Sequence, residues 1–176
     1  SDEKVYSTLE AIFGEVAALF PGQYIHLGGD ECYHGYWEKD ENCKSLMKRE
    51  NLKDAKELQS YFIKRVVKII TSKGKKVIGW DEILDGGLAE GAAVMSWRGT
   101  EGGIKAAKLG HQVVMSPNSF AYLDYVQGDP SIEVPVYSKL FLKKTYEFEP
   151  APEGVDEKFI LGGQGNLWTE KVPTIQ

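Results

Sequence analysis

Apolar residues recur along parts of the chain at steps of three and four residues, which is the spacing of one buried face of a helix. The pattern predicts three helices, over residues 5–20, 54–74 and 100–110. Pro21-Gly22 ends the first helix. Asp54 with Glu57 three residues later forms a capping box at the start of the second, and Gly74 supplies its C-terminal cap.

Short apolar runs alternate with these helices and predict five strands, at residues 24–27, 76–80, 92–97, 112–116 and 159–163. Strands that are apolar throughout and alternate with helices indicate parallel βαβ units covered on both faces. Residues 117–154 contain five of the seven prolines and no strong helical pattern, so we interpret them as a long functional loop. A complete (β/α)8 barrel needs about 250 residues. An incomplete barrel and a self-sufficient doubly wound sheet both remain open.

Charge and hydropathy exclude two classes of function. The chain has 21 Lys and Arg against 26 Asp and Glu, a formal charge of −5, and its basic residues are scattered, so nucleic-acid binding is not expected. No apolar stretch approaches the roughly 20 residues that span a bilayer. Cys32 and Cys43 are compatible both with a disulfide and with two free thiols.

Carboxylates and aromatic residues follow the predicted strands at their carboxyl ends, where parallel α/β folds place their sites. In chain order they are Asp30, Glu31, Trp80, Trp97, Tyr122, Asp124, Trp168 and Glu170. Flat indole faces can stack on the C–H face of a sugar while carboxylates accept hydrogen bonds from its hydroxyls. The plainer alternative is that the acid pair lies in a solvated turn and that the tryptophans belong to the core. We expect His26, inside an apolar strand, to be a hydrogen-bonded core residue.

Five motifs occur along the chain in an order that resembles the retaining exo-β-N-acetylhexosaminidases, the family that includes chitobiase and lysosomal hexosaminidase. The motifs are residues 25–31 (IHLGGDE), 79–82 (GWDE), 95–99 (MSWRG), 122–124 (YLD) and 162–170 (GGQGNLWTE). Together they cover nearly the whole chain. The resemblance implies an α/β fold, the (β/α)8 TIM barrel of the family's catalytic domain. Residues 1–176 would be its C-terminal part, a partial barrel of about strands four to eight.

The resemblance also implies a role for each strand-end residue. Glu31 would be the general acid/base, Asp30 would hold the substrate's acetamido N–H, and Tyr122 would hydrogen-bond the acetamido oxygen, which is itself the nucleophile. The sugar would pack against the side chains of Trp80, Trp97 and Trp168. Its hydroxyls would be bound by Asp124 and Glu170. The implied partner is an oligosaccharide or glycoconjugate with a terminal N-acetylhexosamine, and neither a metal nor an organic cofactor is required.

Two further expectations follow from the resemblance. Family members bind the terminal sugar with an Arg from the first barrel strand, which has no counterpart here, so we expect the isolated chain to be weakly active or inactive. The sequences around Glu31-Cys32 and Gly86-Gly87 resemble those of bacterial secreted or periplasmic members. Residues 1–4 are polar, however, and we see no leader before the first helix. The sequence predicts no oligomeric state.

Two alternative classes of function stay open at this point. A non-catalytic carbohydrate-binding relative would keep the aromatic walls, but the intact Asp30, Glu31 and Tyr122 disfavour it. A metal-dependent barrel hydrolase or lyase would use the strand-end acids as ligands. The absence of a fixed carboxylate triad disfavours that class.

Overall fold

A computed structural model describes residues 2–129 and 131–171 of the chain. Within these residues the strands are β1 (Tyr24–His26), β2 (Lys76–Trp80), β3 (Ala93–Ser96), β4 (Val113–Met115) and β5 (Ile160–Gly163). They follow one another in the sheet in the order β1-β2-β3-β4-β5, which is also their order along the chain. A doubly wound sheet reverses its strand order at a switch point, whereas a (β/α)8 barrel adds each strand beside the preceding one. The order therefore selects the partial barrel.

The chain divides into two compact units, Ser1–Val94 and Met95–Gln176. The first contains three helices, α1 (Glu3–Leu19), α2 (Glu41–Arg49) and α3 (Ala55–Ser72). The capping box of α3 is confirmed. Asp54 Oδ1 accepts a hydrogen bond from Glu57 N at 2.9 Å, and Glu57 Oε2 accepts one from Lys53 N at 2.8 Å. A cap of this kind stabilises a helix by about 1 kcal/mol.

Helix α3 forms the centre of the first unit. Its buried side chains pack against α1 and β2, and they include Leu58, Ile63, Val66, Val67 and Ile70. Strand β1 pairs in parallel with β2, with Ile25 opposite Val77. Helix α2 was not predicted, because only three of its nine residues, Cys43, Leu46 and Met47, are apolar, too few to stand out in the sequence pattern. Its start is nevertheless marked by Asp40, whose Oδ2 accepts a hydrogen bond from Cys43 N at 2.7 Å.

The second unit contains α4 (Glu101–Lys108), α5 (Asn118–Ala121) and α6 (Leu142–Tyr146). Strands β4 and β5 pair in parallel, with Met115 opposite Gly163 and a register shift between Val113 and Val114. Helix α4 packs on β4 and confirms the third predicted helix. The loop predicted between Pro117 and Gly154 has only the two short helices α5 and α6 among its described residues.

The prediction that every strand is covered on both faces is wrong for the first and last strands. Strands β2 and β3 are largely buried, but β1 buries only Ile25, and β5 has no buried residue. These two strands stand at the ends of the strand order, so each has a single neighbour. The expectation of a core position for His26 is wrong for the same reason, because the residue is exposed.

Both cysteines, Cys32 and Cys43, are free thiols. The disulfide that the sequence left open is therefore not formed. Among the described residues, no helix is long and apolar enough to cross a membrane.

Candidate functional site

The loop after β1 delivers the acidic pair through two glycines in the left-handed region, Gly28 at φ +83° and Gly29 at φ +97°. A Cβ added to Gly29 would lie 2.6 Å from Ile83 Cγ2, so no larger residue fits there. Gly28 O accepts a hydrogen bond from Trp80 N at 2.9 Å. The loop is thereby fixed to the end of β2 just before it reaches Asp30.

Asp30 and Glu31 are both exposed, so a ligand can reach both carboxyl groups. Glu31 has φ +46°, and the only other described non-glycine residue at positive φ is Asn51. A side chain in this region is strained, and such strain persists where the surrounding structure imposes it, often at functional sites. The positive φ at Glu31 is compatible with the predicted functional role of the acid pair, and that role stays a prediction.

His26 lies beside this loop and contacts one of the predicted sugar-binding residues. Its ring centroid is 4.7 Å from that of Trp80, and its Nδ1 accepts a hydrogen bond from Gly28 N at 3.1 Å. Although part of His26 is exposed, the packing of its ring against Trp80 desolvates the imidazole and lowers its pKa below the usual value, against the opposing effect of the Asp30 charge. An accepting Nδ1 and a lowered pKa both indicate a neutral imidazole, which supports the loop without adding a charge.

Aromatic rings from three of the predicted motifs cluster in the second unit. The Tyr122 ring stacks on Trp97 at a centroid distance of 6.3 Å and an angle of 17°. Trp168 meets the same ring edge-on at 6.2 Å, and Tyr125 does so at 5.4 Å. Tyr122 is buried, whereas Trp168 is 39% exposed, so neither Trp168 nor the partly exposed Trp97 is an ordinary core residue.

Asn166 holds the Tyr122 segment in place, a role that the sequence analysis missed. Its backbone N donates to Ala121 O and its O accepts from Leu123 N, both at 2.7 Å, so it brackets Tyr122 on both sides. Its side-chain Nδ2 donates to Ser116 Oγ at 2.8 Å, and its Oδ1 accepts from Gln164 Nε2 at 2.8 Å. The buried asparagine thus joins the ends of β4 and β5 to the aromatic cluster.

The phenol of Tyr122 is protonated over the whole ordinary pH range. Burial raises its pKa to about 12, against the opposing effect of hydrogen bonds with Trp168 and Asn166. The nearby charges of Tyr125 and Asp124 raise it further. Tyr122 is therefore available as a neutral hydrogen-bond donor.

The carboxylate of Asp124 is the one described side-chain group that is buried without a hydrogen-bond partner. Both of its oxygens are inaccessible to solvent and accept no hydrogen bond within residues 2–129 and 131–171. A buried carboxylate without donors is costly, and in native proteins such a group calls for a missing ligand or water. Donors on a ligand, such as sugar hydroxyls, would satisfy it only after a side-chain rotation that exposes the oxygens.

The predicted site residues fall into two groups. The first unit contains Asp30, Glu31 and Trp80, and the second contains Trp97, Tyr122, Asp124, Trp168 and Glu170. Glu170 is exposed. Across the part of the chain that the structure describes, no group of three or more His, Cys, Asp or Glu is arranged to hold a metal ion.

Comparison with known proteins gives one consistent result. The model of glycosyl hydrolase family 20, catalytic domain, matches residues 1–176. A β-hexosaminidase of Porphyromonas gingivalis is 46% identical over 98% of this chain, and the β-hexosaminidase subunit beta of Homo sapiens is 32% identical over 95%. The chain spans 23% and 30% of the length of these two relatives.

Two solved structures also resemble the chain. The exo-β-N-acetylglucosaminidase of Vibrio harveyi in complex with N-acetylglucosamine matches with a TM-score of 0.85 and 33% identity. That match covers 96% of this chain and 28% of the other. A chitobiase of Flavobacterium johnsoniae matches with a TM-score of 0.80 and 34% identity, over 96% of this chain and 25% of its own.

Proposed function

Because the chain belongs to glycosyl hydrolase family 20, whose catalytic-domain model it matches throughout, we propose that it is part of a β-N-acetylhexosaminidase. The reaction is the removal of terminal non-reducing N-acetyl-β-hexosamine with retention of configuration. One observation carries the proposal. The protonated hydroxyl of Tyr122 belongs to a ring that stacks on Trp97, and two residues further along the chain the buried carboxylate of Asp124 has no hydrogen-bond partner. A neutral donor, flat apolar walls and a buried acceptor are what a sugar bearing an amide requires.

Glu31 acts as the general acid/base in this proposal. It protonates the leaving glycosidic oxygen and afterwards takes a proton from the water that completes hydrolysis. Asp30 accepts a hydrogen bond from the acetamido N–H and stabilises the positive charge of the oxazolinium-like intermediate. Their adjacency in sequence suits these roles, because the nucleophile is the substrate's own acetamido oxygen and no second carboxylate has to face the bond from the opposite side.

Tyr122 donates its phenolic hydrogen to the acetamido oxygen and aims that oxygen at the anomeric carbon. Positioning of this kind turns the attack into an intramolecular step and removes much of its entropic cost. The raised pKa of Tyr122 supports the role, since a phenolate would repel the oxygen rather than bind it. The bracketing hydrogen bonds of Asn166 keep the ring in place.

The remaining predicted residues bind the sugar itself. Trp80, Trp97 and Trp168 supply apolar surfaces for the ring and for the acetyl methyl group, and Asp124 and Glu170 accept hydrogen bonds from hydroxyls. For Asp124, a side-chain rotation that exposes its oxygens to the sugar would supply the hydrogen bonds that they lack in this structure. The substrate class is supported by the N-acetylglucosamine bound to the Vibrio harveyi structure and by the names of the relatives.

A pair of aryl glycosides tests the proposed function. We expect the gene product that contains this chain to hydrolyse 4-nitrophenyl N-acetyl-β-glucosaminide or its galacto isomer, and to leave 4-nitrophenyl β-glucoside almost untouched, because the latter lacks the acetamido nucleophile. Addition of a chelator should leave the rate unchanged. Sugar binding without turnover would instead support the carbohydrate-binding alternative, and loss of the rate with the chelator would support the metal-dependent one.

We further propose a periplasmic or secreted location. The support is the similarity of the Glu31-Cys32 and Gly86-Gly87 segments to bacterial secreted members. Fractionation of the source cells with an assay of the aryl glycosidase tests this proposal, and activity confined to the cytoplasmic fraction would contradict it.

A further inference from the structure

A side chain of α3 holds the peptide unit directly before the acid pair. Gln59 Nε2 donates a hydrogen bond to Gly29 O at 2.8 Å. That oxygen and the N–H of Asp30 belong to one planar peptide group, so fixing the oxygen also orients the backbone that leads into Asp30. Gln59 is only 7% exposed, and its helical neighbour Leu58 lies in the core, so the anchor is rigid.

The orientation of the Gln59 amide is set by a second hydrogen bond. Gly29 O can only accept, so Gln59 must present its NH₂ there and its oxygen to the other side. On that side His34 Nε2 lies 2.7 Å from Gln59 Oε1, and it must therefore carry a hydrogen. The His34 ring stacks on Trp37 with a centroid distance of 5.5 Å and an angle of 27°. We call this chain of contacts the His34–Gln59–Gly29 clamp.

We propose that Gln59, oriented by His34, is a positioning residue for the acid/base Glu31. The inference rests on the proposed function, which gives Glu31 its chemical role. Glu31 occupies a strained left-handed conformation, and such a conformation persists only when its surroundings impose it. The bonds of Gly28 to Trp80 and His26 fix the start of the loop, and the clamp fixes the peptide that follows.

Gln59→Met tests the clamp most directly, because it removes both hydrogen bonds while it keeps the length and packing of the side chain. We expect kcat to fall about 10- to 100-fold, as is typical for a misaligned catalytic group, with KM within about twofold. The loss should be larger for a phenyl aglycone than for a dinitrophenyl aglycone, because only the poor leaving group depends strongly on protonation.

Two variants at His34 refine the test. His34→Phe keeps an aromatic ring against Trp37 but removes the donor to Gln59, so it should show the same dependence on the leaving group in weaker form. His34→Gln places an amide N–H donor near the former position of Nε2 and should recover part of the kcat lost in His34→Phe. The matched control is Val67→Ala, a buried position of α3 two turns beyond Gln59, which should lower stability without any dependence on the leaving group.

Amide hydrogen exchange gives a readout that needs no substrate. Gln59→Met should speed exchange of the segment 28–31, and Val67→Ala should not do so selectively. Equal loss of kcat for both aglycones, or unchanged exchange of this segment, would overturn the positioning role. If Gln59→Met does not fold, His34→Phe decides by the same two readouts. A wild-type protein that cleaves no N-acetyl-β-hexosaminide would overturn the proposed function and the positioning role with it, whereas faster exchange in Gln59→Met would still establish the clamp.

Discussion

Replacing Glu31 with glutamine is expected to lower kcat for an aryl N-acetyl-β-hexosaminide with a poor leaving group by about 100- to 10,000-fold, the usual range for removal of a general acid. The amide keeps the size and hydrogen-bonding capacity of the side chain but delivers no proton to the glycosidic oxygen. KM should change little, since Glu31 is proposed to act on the leaving group. Steady-state kinetics on phenyl and dinitrophenyl glycosides measure the effect.

Glu38→Gln is the matched control for this variant. Glu38 is also exposed and lies seven positions further along the same segment, so it reports the effect of losing one negative charge there. We expect it to retain the wild-type rate. A Glu31→Gln variant that cleaves the phenyl glycoside as fast as Glu38→Gln would remove Glu31 from the acid/base role.

Removal of the Tyr122 hydroxyl is expected to have the second largest effect. Tyr122→Phe keeps the ring contacts with Trp97 and Trp168 but loses the donor to the acetamido oxygen. Loss of one such preorganised donor costs about 100- to 1,000-fold in kcat. Tyr125→Phe is the control, because it removes a hydroxyl from a ring that packs edge-on against Tyr122, and it should stay close to the wild-type rate.

The pH dependence separates the donor role of Tyr122 from proton transfer. Because burial raises the pKa of Tyr122 to about 12, its hydroxyl stays protonated through neutral and mildly alkaline pH. The ratio of wild-type to Tyr122→Phe rates should therefore be constant from acid pH up to about pH 10, the ordinary tyrosine value. A rate ratio that changes with pH within that range would contradict the role of Tyr122 as a neutral donor.

The sequence alone predicted most of the framework correctly, because its signals were local. The capping box at Asp54 and the apolar spacing of α3 mark that helix, and the run from Lys76 to Trp80 marks β2. The exposure of β1 was not predictable in this way, because it depends on the position of a strand in the sheet and not on its composition. Helix α2 escaped detection because it is only nine residues long and mostly polar, with Leu46 as its one buried residue.

The supporting residues of the site were harder to predict than its acids and aromatics. Gln59 lies in the middle of a helix and gains its role from a bond to Gly29, 30 positions away in the chain. Asn166 lies inside a recognised motif, but its bonds to Ala121, Leu123 and Ser116 exist only once β4 and β5 are paired. Contacts between a side chain and a distant backbone leave no pattern in one sequence.

Participation of the substrate's acetamido group is the central claim, and one kinetic series tests it most directly. Aryl glycosides whose N-acetyl group carries zero, one, two or three fluorine atoms differ in how readily the carbonyl oxygen can attack, since fluorine withdraws electrons from it. If the acetamido oxygen is the nucleophile that Asp30 and Tyr122 orient, kcat/KM should fall steeply and steadily with each fluorine. Rates that stay within about twofold across the series would contradict the account, because a nucleophile supplied by the protein or by water is insensitive to that substitution.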